Sequence, residues 1–202
     1  MPQIVRIADC PPLPWKNGAG MTRELWALRD ATGAPRVRIS IAEIRGAQAF
    51  SRFPGTDRVI LQLDGPPMVL TIDGTAHRLM PLAPLAFPGE AEVTCLTDGD
   101  GAAHDLNLMC RRGDFAAGMQ LLETRPGSLI ETGAPDGITA LLALAPTTLH
   151  LPVEVTLATH DLLVARGVLR VRTPRAAVFA DLSAQATAEA TGAHPEPQSG
   201  RT

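Results

Sequence analysis

The sequence predicts an all-β fold with very little helix, built as two fused small β-barrels of the jelly-roll type. Short apolar stretches alternate with polar residues at period two, and no interior window carries the i, i+3, i+4 and i+7 apolar spacing of an amphipathic helix over three turns. The 202 residues include 18 glycines and 18 prolines, which supply many turns. A weak internal echo indicates a duplicated unit.

The clearest strand is 37–44, where Val37, Ile39 and Ile41 share one face and Glu43 extends the same alternation. Asp64-Gly65 and Asp73-Gly74 each separate two apolar runs, a pattern typical of β-hairpin turns. The other predicted strands are 3–7, 23–28, 59–63, 68–72, 85–87, 92–96, 104–109, 115–122, 138–144, 148–151, 162–165, 168–172 and 177–180.

The internal similarity is between two units of the sequence: residues 57–65 with 68–72, and residues 161–167 with 168–172. Each unit reads as a buried strand, a glycine turn, an alternating strand and then prolines. Duplication predicts two fused barrels, and chance similarity between β-hairpins is the alternative. We therefore expect a first barrel with its N-terminal loop at 1–113, and a second, degenerate barrel closed by N-terminal strands at 114–182.

The last stretch of the sequence differs in composition from the rest. Residues 183–191 are rich in alanine and are the one helix-prone piece, but they carry no apolar stripe. They lead into a segment of Gly, Pro and Ser that cannot bury much apolar surface. The prediction for 183–202 is a disordered tail.

Charge and cysteine content exclude several classes of protein. A net charge of −3 leaves no basic stripe to neutralise phosphates, so we expect no nucleic-acid partner. No run approaches the apolar length of a membrane span, and the start lacks the apolar core of a signal peptide, so we expect no membrane partner. Cys10, Cys95 and Cys110 are widely spaced and odd in number, which is typical of reduced thiols in a cytoplasmic protein.

The densest stretch of functional side chains is W-K-N-G-A-G-M-T-R-E at 15–24. Gly18 and Gly20 allow the backbone to approach a ligand or a neighbouring strand closely. The segment lacks the glycine pattern of a phosphate-binding loop, and no helix pattern follows it. It is either a ligand-binding loop or a glycine-rich β-turn with charged flanks.

A second dense stretch, F-S-R-F-P-G-T-D-R at 50–58, has the spacing of the first motif of the cupin family. The three metal-ligand positions of that motif fall on Ser51, Phe53 and Arg58, none of which is a good metal ligand. The second cupin motif would end near 88–92 and also lacks a histidine. The sequence therefore predicts a cupin barrel without its metal and with no cofactor.

The third stretch, D-L-N-L-M-C-R-R-G at 105–113, includes a strand on which Asp105, Asn107 and Met109 share one face. Leu106 and Leu108 share the other face. If the polar face points into a barrel, Asp105 and Asn107 need buried partners. The alternative is that they face solvent on a half-buried strand.

Taken together in this order and spacing, the three segments closely resemble the HutD/Ves family over about residues 4–182. Ala19 departs from the family pattern, which usually has a third glycine there. The resemblance implies a bicupin without an established enzymatic activity. It also implies that a HutD-type member acts as a binding or regulatory factor in histidine utilisation.

We therefore predict that the first barrel binds a small carboxylate, such as urocanate or formylglutamate, and assign no catalytic residue. Cationic side chains attract a carboxylate, and an Arg guanidinium group also pairs with it bidentately. The candidate anion contacts are therefore Lys16, Arg23 and Arg58. The predicted ligand-binding residues are Lys16, Asn17, Thr22, Arg23, Glu24, Ser51, Phe53, Arg58, Asp105, Asn107 and Met109.

Three alternatives to this site remain open. Arg23, Glu24, Arg58 and Asp105 could form an ion-pair network that only holds the barrel together. The protein could be an isomerase or hydrolase that uses Asp105 or Glu24 as a general base with Arg58. It could also be a Ves-like, stress-related interaction protein. In any of these cases the strand at 3–7 offers an edge for pairing in a homodimer.

Overall fold

The computed structural model describes residues 2–15, 20–99 and 101–188, which form nineteen strands and one short 3₁₀-helix at Ile7–Asp9. The strands are β1 (Gln3–Val5), β2 (Leu13–Pro14), β3 (Gly20–Arg29), β4 (Pro35–Ile44), β5 (Ala47–Ala49), β6 (Thr56–Asp64), β7 (Met68–Ile72), β8 (Thr75–Arg78), β9 (Leu85–Pro88), β10 (Val93–Thr97), β11 (Ala103–Arg111), β12 (Phe115–Thr124), β13 (Leu129–Thr132), β14 (Ile138–Ala143), β15 (Thr147–His150), β16 (Glu154–Leu157), β17 (Leu162–Arg166), β18 (Leu169–Arg172) and β19 (Ala177–Ala186). The fold is all-β, as predicted.

The strands form four sheets. Inner sheet 1 has the order β2-β3-β4-β11-β6-β9, and outer sheet 1 has the order β5-β10-β7-β8. Inner sheet 2 has the order β1-β17-β14-β19-β12, and outer sheet 2 has the order β13-β18-β15-β16. The two halves are cupin-like, although their sheets stay open and do not close into continuous barrels.

Three apolar clusters join the four sheets into layers. The first cluster, which includes Ile60 and Leu70, lies between outer sheet 1 and inner sheet 1. The central cluster, which includes Ile39 and Leu182, packs the two inner sheets against each other. The third, which includes Phe179, lies between inner sheet 2 and outer sheet 2. Each inner sheet is therefore covered on both faces.

The chain contains a strand-for-strand repeat. In β4–β11 and again in β12–β19, the chain alternates between inner and outer sheets in the same order. In the inner sheets, β4-β11-β6-β9 corresponds to β12-β19-β14-β17. In the outer sheets, β5-β10-β7-β8 corresponds to β13-β18-β15-β16. The duplication is present, but the alignment predicted for it is wrong. The sequence repeat aligned β6 and β7 with β17 and β18. The strand order in the sheets instead makes β14 and β15 their counterparts. The crossing from β14 to β15 is Leu144-Ala145-Pro146 and has no glycine, whereas the crossing from β17 to β18 has Gly167, as the crossing from β6 to β7 has Gly65. This shared glycine is why the sequence suggested the wrong pair.

The first three strands are shared between the halves. β1 pairs with β17 at the edge of inner sheet 2, whereas β2 and β3 extend inner sheet 1 beyond β4. The predicted strand at 3–7 ends at Val5, because the backbone enters the 3₁₀-helix.

The two Asp-Gly turns behave differently. Asp73 and Gly74 have φ values of 45° and 82° and join the paired strands β7 and β8, which confirms that hairpin. Asp64-Gly65 is not a hairpin turn, because β6 and β7 belong to different sheets. A Cβ on Gly65 would lie 2.3 Å from the carbonyl oxygen of Ala102, so the crossing requires glycine.

Two further predictions need correction. β19 continues to Ala186, so residues 183–186 belong to a strand and not to a helix-prone or disordered tail. All four residues pair with β12, and residues 183–184 also pair with β14. Residues 189–202 lie outside the described residues. The strands β2, β5, β8, β13 and β16 were not predicted, since each has only two to four residues and little apolar alternation.

Within the described residues, no helix is long and apolar enough to cross a membrane. Cys10, Cys95 and Cys110 are all buried free thiols.

Candidate functional site

A cavity of about 490 Å³ lies in the first half, on the face of inner sheet 1 that is turned toward outer sheet 1. Its floor comes from the adjacent strands β4, β11 and β6, and its rim comes from β2, the start of β3 and the segment before β6. The lining residues are Leu13, Pro14, Trp15, Thr22, Arg38, Ser40, Ala42, Phe50, Ser51, Arg52, Phe53, Arg58, Asp105, Asn107 and Met109.

Strand alternation places the polar residues of β11 in this cavity. Asp105, Asn107 and Met109 line it, whereas Leu106 and Leu108 point the other way into the central cluster. Asp105 is 0% and Asn107 4% exposed, so the alternative that they face solvent is wrong. The three residues share one face, as the period-two pattern predicted, and that face points inward.

Arg58 is the central cation of the cavity. It is buried, and its Nη2 donates a 2.7 Å hydrogen bond to Oδ1 of Asn107. Its guanidinium carbon lies 4.8, 5.4 and 5.5 Å from the ring centroids of Phe87, Phe50 and Phe53, within cation–π range. Its Nε has no hydrogen-bond partner among the described residues. Burial lowers the pKa of Arg58 to about 10, although Asp105 acts in the opposite direction.

Asp105 is the buried carboxyl group of the cavity. Its Oδ1 accepts a hydrogen bond from the Asn107 side-chain amide, and its Oδ2 has no partner among the described residues. Burial raises the pKa of Asp105 to about 7, and the charge of Arg58 limits this rise. In the described part of the chain, no ion pair within 4.0 Å joins Arg58 to Asp105, so Asn107 connects the two charged groups.

The aromatic rim is held in place by local contacts. Trp15 Nε1 donates a 2.6 Å hydrogen bond to the Thr22 hydroxyl, and the Trp15 ring meets Phe50 edge-on at 5.9 Å. A Cβ on Gly20 would lie 3.0 Å from the Trp15 ring and 2.9 Å from the carbonyl oxygen of Glu43, so the strand can start here only with glycine. Lys16 and Asn17 lie outside the described residues, and their role stays a prediction.

The two remaining predicted site residues do not line the cavity. Arg23 donates to the backbone carbonyl of Cys10, on the face opposite the cavity. Glu24 binds Arg38, from Nε to Oε2 at 2.8 Å, and also binds Arg29. Burial alone would raise the pKa of Glu24, but hydrogen bonds from Arg38 and Arg29 outweigh it and lower the pKa. The predicted ion-pair network of Arg23, Glu24, Arg58 and Asp105 is therefore not the arrangement found.

Ser51, Phe53 and Arg58, which occupy the metal positions of the cupin motif, all line the cavity. Across residues 2–15, 20–99 and 101–188, no three His, Cys, Asp or Glu side chains come together as a group that could hold a metal ion. The chemistry this arrangement supports is anion recognition by a guanidinium group, with a carboxyl group of raised pKa nearby.

Sequence reasoning missed the contribution of β4. Arg38, Ser40 and Ala42 line the cavity because β4 pairs with β11 and opposes them to Met109, Asn107 and Asp105, respectively. Arg38 and Ser40 alternate with apolar residues of β4, and this period-two pattern could have identified them. Only the pairing of β4 with β11 shows that they share a cavity.

The fold and the cavity define a bicupin: a duplicated β-sandwich in which one half encloses a polar, aromatic-rimmed pocket. The HutD family model matches residues 7–181, and the chain belongs to this family.

Two curated relatives resemble part of the chain. An uncharacterised 21.2 kDa protein in the hutC 3′ region of Pseudomonas putida is 40% identical over 122 residues, or 58% of this chain and 63% of that protein. Protein Ves of Citrobacter koseri is 39% identical over 99 residues, or 48% of this chain and 52% of that protein. The chain thus spans less than two thirds of these relatives.

Solved structures match over more of the chain. HutD from Pseudomonas fluorescens SBW25, in a formate condition, is 28% identical with a TM-score of 0.77, covering 92% of this chain and 100% of that one. Bacillus subtilis oxalate decarboxylase is 10% identical with a TM-score of 0.61, covering 91% of this chain and 77% of that one, and this likeness concerns the fold alone.

Proposed function

We propose that this HutD-family protein binds a small carboxylate in the cavity of its first half and modulates histidine utilisation through that ligand. The observation that carries the proposal is Arg58, a buried guanidinium group with an unpartnered Nε beside a cavity of about 490 Å³. A volume of this size is typical of small-molecule sites.

The energetics of Arg58 favour an anionic ligand. A buried cation is costly unless it is paired and hydrogen-bonded. Arg58 has the Asn107 amide and three aromatic rings as neighbours, but no carboxylate within ion-pair distance in the described part of the chain. A ligand carboxylate in the cavity could pair with the guanidinium group and add the missing negative charge.

The charges around the cavity agree with this proposal. Among the described residues, the lining includes three guanidinium groups, those of Arg38, Arg52 and Arg58, and one carboxyl group, that of Asp105. Arg38 and Arg52 are paired with Glu24 and Glu92, respectively, which leaves Arg58 as the arginine of this described lining that has no carboxylate partner. Because the pKa of Asp105 is near 7, a protonated Asp105 would also repel an anion less than an ionised one.

The choice of urocanate or formylglutamate as ligand rests on family membership. The relative in the hutC 3′ region and the HutD structure connect the family by name to histidine utilisation. Trp15, Phe50 and Phe53 offer apolar walls for the planar part of such a ligand. The buried free thiols are consistent with a cytoplasmic location, which is part of the same proposal.

Calorimetric titration tests the proposal, with urocanate, formylglutamate, formiminoglutamate, glutamate and histidine each assayed with and without Zn²⁺ or Mn²⁺. A carboxylate at a hundred times its Kd should stabilise the fold by roughly 2.7 kcal/mol, which a thermal-shift assay would detect. Arg58→Gln should weaken binding by about thirtyfold or more, because truncating one member of a buried charged pair costs about 2–5 kcal/mol. Arg58→Lys keeps the charge and should retain part of the affinity.

Arg170→Gln is the matched control, because Arg170 is a solvent-exposed arginine of outer sheet 2 that pairs with Glu131. It should bind every carboxylate as the wild type does. If Arg58→Gln binds them as tightly as this control, the pocket assignment is wrong. If no carboxylate binds the wild type, a Ves-like interaction role becomes the better hypothesis.

A second candidate function is an isomerase or hydrolase acting on the same kind of ligand. It is favoured by Asp105, whose pKa of about 7 suits a general acid or base, beside a cation that could stabilise negative charge. Glu24 fits this role less well, because its two arginine partners lower its pKa. NMR of each carboxylate incubated with protein distinguishes the candidates: turnover that Asp105→Asn abolishes while binding persists would favour the enzyme.

A further inference from the structure

The longest unexplained feature outside the cavity is the free edge of β12. This strand pairs with β19 over ten residues without a register shift. On its other side it pairs with no strand formed by residues 2–15, 20–99 or 101–188. Unpaired backbone N–H and C=O groups on such an edge form a template for another strand.

The other sheet edges are short or protected. The remaining terminal strands of the four sheets have two to four residues each. β3 extends past the short β2, but it carries charged residues and two register shifts, which discourage edge pairing. β12 has neither protection, since residues 115–122 contain no charged residue and no proline.

The internal repeat shows what such an edge can hold. β12 is the counterpart of β4, and β4 is covered along its length by β3. β2 and β3 also close the cavity of the first half, where Leu13, Pro14 and Thr22 line it. Beside β12 the corresponding space is a groove of about 270 Å³ between β12, β13 and β19. Leu129 lines this groove and is 60% exposed, and Leu121 of β12 is 37% exposed.

We propose that β12 of a second copy of this chain occupies the edge, giving a two-fold symmetric dimer. Antiparallel pairing of β12 with itself satisfies the requirement that both copies use the same surface. A two-fold axis normal to the sheet at Met119 or Gln120 places Glu123 opposite Phe115 or Ala117, so no like charges face each other. The two five-stranded inner sheets would join into one continuous sheet.

The test measures molar mass by sedimentation velocity and light scattering over a wide concentration range. The wild type should approach twice the 21.3 kDa mass of one chain. Leu121→Lys places a cation of each copy near the axis and should give a monomer. Leu96→Lys is the matched control: Leu96 is also exposed, at 56%, but lies on β10 of outer sheet 1, and the variant should remain a dimer.

Hydrogen exchange on the wild type gives an independent readout that does not require any variant to fold. In the dimer, successive amides of residues 116–122 should all be protected, and dilution should release alternate ones as the edge opens. A monomeric wild type overturns the proposal, as does a dimeric Leu121→Lys variant. Protection of β12 in a monomer at every concentration would also overturn it, because another part of the same chain would then cover the edge.

Discussion

Replacing Asp105 with asparagine should remove a pH dependence that the buried carboxyl group imposes on stability. Asp105 has an ordinary pKa of 3.8 in the unfolded chain and a pKa raised to about 7 by burial in the fold. The folded state therefore holds the proton more tightly, and the stability from this group is fully present below pH 3.8. Stability is lost as pH rises from there through about 7.

The size of this effect follows from the two pKa values. Between pH 5 and pH 8 the wild type should lose about 2–3 kcal/mol of unfolding free energy relative to Asp105→Asn, by proton linkage at about 1.4 kcal/mol per pKa unit. The amide oxygen that Asp105→Asn introduces can still accept from Asn107, so the hydrogen bond in the cavity is kept. Only the ionisation is removed.

Urea unfolding of both proteins at intervals between pH 5 and pH 8 measures the difference. Glu131→Gln is the control: hydrogen bonding and the charge of Arg170 lower the pKa of Glu131, so its titration lies below this window and its effect should be constant. A wild-type-to-Asp105→Asn difference that also stays constant would refute the inference that burial keeps this carboxyl group protonated.

Two further predictions concern backbone conformation and the buried thiols. Gly65→Ala should cost about 1–3 kcal/mol more than Gly33→Ala in urea unfolding, because both have φ near +85° but only Gly65 would place a Cβ against the Ala102 carbonyl. Equal losses of unfolding free energy in the two variants would show that the backbone near Ala102 moves away from the added Cβ at little cost. Burial raises the pKa of both Cys95 and Cys110 to about 12, so neither should react with a thiol reagent at pH 8 until the protein is unfolded. Rapid labelling of either native thiol would contradict their burial.

The amino-acid sequence by itself determined the strand faces. In β4, Val37 and Ile39 lie in the central cluster, and in β11, Asp105 and Asn107 face the cavity, because side-chain direction alternates at every residue of a strand. The motif order also identified the family, which the model match over residues 7–181 confirms. Both inferences depend on patterns local in the chain.

Only the tertiary structure decided which strands meet. The partner of β6 could not be read from its own residues, so the sequence suggested a hairpin at Gly65 and matched the wrong strands of the repeat. Arg38 lines the cavity and Arg23 does not. This difference depends on how β4 pairs with β3 and β11. The raised pKa of Asp105 likewise needs the layers assembled around it. Pairing and burial are set by groups distant in the chain, and period-two alternation contains no information about them.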